Sequence, residues 1–149
     1  MKISWTSFRV SIAGAKLSHL VEKDRIWDHG SMVEQVKNIF YAIERAKTKN
    51  ETEGIRKCVT AYGFEKLRAQ IELMKERKTL SKSAVLTGVS IVQVMPATKQ
   101  KPDSFKALIK GKRKTEKDLV PAEIDNYGIE SFSEEWLFVR QGDWWVLDD

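Results

Sequence analysis

Cysteine is nearly absent. The single thiol, Cys58, allows no intramolecular disulfide and no cysteine-built zinc site, and this points to a reducing compartment. Histidine is almost as scarce. His19 and His29 are the only two, no third ligand stands at a recognisable spacing, and a metal site is not expected. Asp28-His29 is a poor acid–base pair, because adjacent side chains at a turn diverge from any one substrate. A glycine-rich phosphate loop and a serine nucleophile elbow are both missing, so no cofactor and no catalytic residue is expected. No apolar run approaches the ~20 residues needed to cross a bilayer. The stretch Ile3 to Leu20 faintly resembles a secretion signal, but Arg9 and several hydroxyl residues interrupt it, so the expected location is the cytoplasm.

What the chain does have suits one folded domain. Its 149 residues are 42% hydrophobic and 32% charged, too apolar for a disordered segment. A chain of this size buries roughly two thirds of the surface its unfolded form exposes. The formal net charge is +5, and its distribution is more informative than its sum. Lys106, Lys110, Lys112, Arg113, Lys114 and Lys117 fall within twelve residues, with Glu116 the one acid among them. Such a patch could meet phosphates on nucleic acid or lipid. The favoured reading is a solvated strand and loop whose lysines discourage edge-to-edge aggregation, since only Phe105 is interleaved to stack on bases.

Apolar positions at Ile3, Val10, Ala13, Leu17, Leu20 and Val21 predict an amphipathic N-terminal helix that breaks before Asp28-His29-Gly30. Residues 1–30 are read as this extension and 31–149 as the domain proper. Ser31 to Glu34 reads as a capping box that opens a helix with the stripe Val33, Val36, Ile39 or Phe40, and Ile43. Asn50 and Glu53 suggest a second cap before a short helix at Ile55 to Val59. Thr60 and Gly63 suggest a restart carrying Phe64, Leu67, Ile71 and Met74 to about Lys78.

From Ala84 the β-branched residues Val85, Thr87, Val89, Ile91, Val92 and Val94 predict a strand ended by Pro96. Phe105, Ala107 and Ile109 alternate with Ser104, Lys106 and Lys110 in a second strand, and residues 113–128 form a polar connection. The last two strands are Ser131 to Arg140 and Asp143 to Leu147, around a tight turn at Gln141-Gly142 or Gly142-Asp143. The expected pairs are Arg140 with Asp143, Phe138 with Trp145, and Trp136 with Leu147. Glu134, Trp136, Phe138 and Arg140 share one face because side chains two apart point the same way. Leu137, Val139, Trp144 and Val146 make a second apolar row, so both faces need cover, one from the helices and the other from the N-terminal segment or a second subunit, and a homodimer is expected. The fold class is therefore α+β, with N-terminal helices packed on a curved antiparallel sheet.

The order of these elements, from Trp27 through Val36 to Ile43, Ile55-Arg56 and Val59-Thr60 to Glu134-x-Trp136-x-Phe138-x-Arg140 and Trp145-x-Leu147, resembles the Tim-forty-four-like domain family. The resemblance implies the cone-shaped fold of nuclear transport factor two and ketosteroid isomerase, in which helices close over a sheet to leave a pocket. It also implies a mostly noncatalytic role in holding proteins, ribosomes or membrane lipids. The pocket-lining candidates are Phe40, Glu134, Trp136, Phe138, Arg140 and Trp145. The expected function is thus a binding or scaffold domain for a protein or lipid partner, through the pocket and the N-terminal helix. Two alternatives stand beside it. One is an isomerase- or dehydratase-type enzyme with Glu134 as acid or base, and the other is ribosome or RNA binding through the basic patch.

Overall fold

The computed structural model describes residues 4–49, 51–76, 84–114 and 129–149. Three helices come first, α1 (Trp5–Lys23), α2 (His29–Lys49) and α3 (Ala61–Glu76). Four strands follow, β1 (Ala84–Met95), β2 (Ser104–Lys114), β3 (Ile129–Gln141) and β4 (Trp144–Leu147). The strands form one antiparallel sheet in sequence order. The sheet stays open, with β1 and β4 at its edges.

Each helix begins where a short polar side chain can satisfy a free backbone donor. The Ser4 hydroxyl accepts from the Ser7 N–H at 3.0 Å to open α1, and the Thr60 hydroxyl accepts from the Gly63 N–H at 3.0 Å to open α3. The cap of α2 is Asp28, whose carboxylate accepts from the Ser31 N–H at 2.9 Å. Ser31 therefore lies inside the helix and is not its cap, a correction to the capping-box reading. The expected helix at Ile55 to Val59 is a three-residue 3₁₀ turn, Glu53–Ile55. Asn50, Lys78 and most of the polar connection lie outside the described residues.

The apolar stripe of α2 is buried at Met32, Val36, Ile39, Phe40 and Ile43, and that of α3 at Phe64, Leu67 and Ile71. They meet the face of the sheet carrying Phe105, Ala107 and Ile109 of β2 and Phe138 of β3, all four fully buried. Each such large apolar side chain contributes ~1.5–3 kcal/mol by leaving water. Register shifts between Leu86 and Gly88 and between Ile91 and Gln93 interrupt β1, the kind of bulge that bends a strand. α1 joins the same core through Ala13 and Leu17.

Gly142 and Asp143 make the hairpin turn, with Gly142 at φ +66°, a left-handed conformation open to glycine at little cost. The pairs are then Phe138 with Leu147, Val139 with Val146, Arg140 with Trp145 and Gln141 with Trp144. The expected pairing was two residues out of step. A shift of two keeps every side chain on its face, so Trp145 and Leu147 still point inward with Phe138.

Two local features tie the ends of the fold together. The Trp145 indole donates to the Ile26 carbonyl at 3.0 Å and lies edge-on to Trp27, with ring centroids 5.0 Å apart. Leu147 makes an isolated parallel bridge to Val59, in which its N–H donates to the Cys58 carbonyl and its carbonyl accepts from the Thr60 N–H, each at 2.8 Å. Gly63 is required beside this bridge, because a Cβ there would meet the Leu147 carbonyl oxygen at 2.9 Å.

Candidate functional site

The helices and the inner sheet face leave a cavity of about 300 Å³. Ile43 and Lys47 of α2, Lys66, Leu67 and Gln70 of α3, Arg113 of β2 and Glu134 and Trp136 of β3 line it, with Leu147 to Asp149 closing one side. Of the six residues expected there, only Glu134 and Trp136 line the cavity. Phe40, Phe138 and Trp145 are on the predicted face but are sealed in the core by aromatic neighbours. Phe40 stacks on Phe132 at 6.0 Å, and Phe105 contacts both Phe138 and Trp145.

Arg140 is also on the predicted face, yet it is held at the far end of the sheet. Its Nη1 donates to Asp24 at 2.5 Å and to Asp103 at 3.2 Å, while the expected partner, Asp143, stands 3.9 Å away and almost fully exposed. The Arg140 hydrogen bond, followed by that from the Ile26 N–H, holds the Asp24 carboxyl below its ordinary range. This cluster joins the end of α1 to the start of β2 and to β3, and Arg140 is not among the residues that line the cavity.

Glu134 is exposed, and its carboxylate accepts from the Trp136 indole N–H at 2.9 Å. The enzyme alternative needs Glu134 enclosed in the cavity with a second polar group aimed at the same point, and an exposed carboxylate tied to the neighbouring indole does not supply that. Arg113 reaches the buried Glu44 with a single long contact of 3.4 Å and covers the Phe132 ring at 4.7 Å. Among the described residues Glu44 Oε2 and Arg113 Nε have no hydrogen-bond partner, so this inner ion pair is only half satisfied there. The spacing of the α2 stripe sets Glu44 off the core face with Lys37, Arg45 and Lys47, and its burial corrects that reading.

The basic run divides between the two faces. Arg113 points inward, whereas Lys106, Lys110, Lys112 and Lys114 alternate onto the outer face, about 7 Å apart where they are two residues apart. Lys117 lies outside the described residues. Ser131, Ser133 and Glu135 face the same way on β3, as register partners of Lys112, Lys110 and Leu108. Arg9 of α1 clamps Glu135 with two hydrogen bonds, 3.0 and 2.9 Å, so the first half of α1 reaches this outer face. The Arg9 hydrogen bond holds the Glu135 carboxyl below its ordinary range.

Arg9, Ala13 and Leu17 face the domain, and the next stripe of α1 is left in solvent. Trp5 is 71% exposed, Phe8 48% and Ile12 44%, with the Trp5 and Phe8 rings stacked at 5.8 Å. This stripe borders a groove of about 310 Å³ against Val92, Gln93 and Val94 of β1. α1 ends at Asp24, beside Arg140, and its Arg9 reaches Glu135 on the sheet face that also carries Lys106, Lys110, Lys112 and Lys114. The helix and the lysines are each legible in the sequence. Nothing in it showed that they share a face.

Cys58 is half-buried, and burial pushes its thiol upward in pKa, against reactivity. Among the described residues, no three histidine, cysteine or acidic side chains gather as a metal site, and no helix is long and apolar enough to cross a membrane.

These features define an open-sheet α+β domain with a mixed cavity and a basic outer face. The chain matches no protein-family model and no curated protein. Among solved structures it is similar to the intermembrane space region of the chloroplast protein ARC6, with 10% sequence identity and a TM-score of 0.49 over 78% of this chain and 92% of that one.

Proposed function

We propose that this is a noncatalytic binding domain that attaches to an anionic lipid surface through α1 and the outer face of β2. The observation that carries the reading is the Arg9–Glu135 contact, which sets the helix bearing an exposed aromatic stripe against the sheet face bearing the lysine row. Trp5 and Phe8 are side chains that settle at the boundary between headgroups and acyl chains. Each lysine near an anionic surface adds ~1 kcal/mol of attraction. The two rings stack on each other and are flanked by Ile12 and the exposed Val10, an apolar surface better suited to acyl chains than to bases. The Tim-forty-four-like resemblance supports the same class of role.

Co-sedimentation of the full chain with phosphatidylcholine vesicles, with and without phosphatidylglycerol, tests the reading. Binding is expected only to the anionic vesicles, weakening as salt is added. It should be lost in Trp5→Ala/Phe8→Ala and in Lys110→Glu/Lys112→Glu. No binding to anionic vesicles, or equal retention of both double variants, rejects it.

A further inference from the structure

The two edges of the sheet are finished differently. On β1 the Leu86 N–H donates to the Tyr41 hydroxyl at 3.1 Å, and α1 lies alongside the strand. On the other side β4 is four residues long against thirteen in β3, and it pairs only with Phe138 to Gln141. The ladder runs slightly further, since the Asp148 and Asp149 N–H groups donate to the Leu137 carbonyl at 2.9 and 3.3 Å. Past that point, among the described residues, no strand pairs with the edge of β3 from Ser131 to Glu135.

Alternate residues of a strand turn their backbone groups to opposite edges. Leu137 turns its groups toward β4, while the Arg140 N–H donates the other way, to Asp103. Ser131, Ser133 and Glu135 are in phase with Leu137, so their N–H and C=O groups point outward along the open edge. An unprotected edge of this kind is a template for another strand, and natural proteins usually blunt it. Here all three residues are exposed, and the side chains Ser131 and Ser133 are small.

We propose that this edge accepts an added strand, an extended segment of a partner protein in which apolar and acidic residues alternate. Both halves of that chemistry come from what stands on either side of the edge. Inward side chains of an added strand would enter the cavity over Trp136, Ile43 and Leu67, which favours apolar residues there. Outward side chains would stand beside Ser131 and Ser133, whose register partners on β2 are Lys112 and Lys110. The separation is two strand spacings, about 10 Å. Lysine and glutamate stems span it together, and the short serines between them leave the path clear. The site lies on a different edge from the α1 groove, so it stands or falls independently of lipid binding.

The test uses the full chain without vesicles and a short fluorescent peptide of alternating valine and glutamate, read by anisotropy. Saturable binding is expected, with the backbone amide signals of Ser131, Ser133 and Glu135 the ones that move in a two-dimensional NMR spectrum. Ser133→Pro removes an outward N–H and leaves the β2 ladder in place, so affinity should fall about tenfold or more. A peptide N-methylated at alternate amides should fail with the unmodified protein, which keeps the test decisive if Ser133→Pro does not fold. Lys110→Glu/Lys112→Glu should exchange the preference toward a valine–lysine peptide. Trp5→Ala/Phe8→Ala should bind the peptide normally. Absence of saturable binding, undiminished binding of the N-methylated peptide, or signal changes confined to α1 overturns the proposal.

Discussion

The inner and outer faces of β2 come from the same eleven residues and share nothing in their chemistry. Inward, Phe105, Ala107 and Ile109 are at 0% exposure, and Gly111 gives the Phe132 ring room to lie across the strand. Outward, Lys106, Lys110, Lys112 and Lys114 stand in a row with Leu108 among them. A period of two is enough to build both, and the helices decide which face is dry. The inner face holds the fold together, and the outer face is available to do something else. Substitutions on the two faces should therefore separate cleanly into losses of stability and losses of binding.

The sharpest break of that contrast is Phe138→Ala. It empties a fully buried site between Phe105 and Trp136 and should cost ~3–5 kcal/mol in urea denaturation. Lys112→Ala, on the outer face, should move stability by no more than ~0.5 kcal/mol. A comparable loss from both would mean that the outer face is also packed.

Gly111→Ala comes next in size. A Cβ there would meet the Val85 carbonyl oxygen at 2.5 Å and the Phe132 ring at 2.6 Å, so β1 must move as well as the ring. Overpacking of this kind should cost ~1–3 kcal/mol, read as a lower melting temperature.

The smallest effect concerns pH. Asp24 and Glu135 have carboxyls held below their ordinary range, by Arg140 and Arg9 respectively. A depressed folded-state pKa gives stability that is complete above the unfolded pKa and is lost as pH falls through the folded one. Both pairs are partly exposed, so the contribution is modest. Denaturation midpoints measured below pH 5 should fall less steeply in Arg140→Gln than in the unaltered chain, with the two curves parallel above it.

Much of this was legible in the chain. Alternation marked β2 and β3 and placed Phe138, Trp136 and Trp145 on one inward face, because a buried face leaves its period in the sequence. The hairpin register was less legible. Gln141-Gly142 and Gly142-Asp143 are both plausible turns by composition, and only the Gln141–Trp144 pairing of the folded hairpin separates them. The contents of the cavity were legible only in part. Facing inward does not by itself mean lining the pocket, because Phe40 is covered by Phe132, and Phe138 and Trp145 by Phe105. Arg140 is drawn away by Asp24 and Asp103, more than a hundred and nearly forty residues distant in sequence. Such long-range pairs leave no local pattern. The same holds for Arg9 and Glu135, the contact that brings α1 to the lysine face.

The Val59–Leu147 bridge has a consequence for how the molecule is made. The segment that launches α3 is fastened by backbone hydrogen bonds to β4, a strand synthesised about ninety residues later. Until β4 has emerged, Thr60 lacks its backbone acceptor at Leu147 and the side chain of Asp148. Such a far-reaching tie slows folding, because loop closure has to precede the contacts that reward it. The nascent helical layer would wait, incompletely anchored, for the last strand to lock it in place.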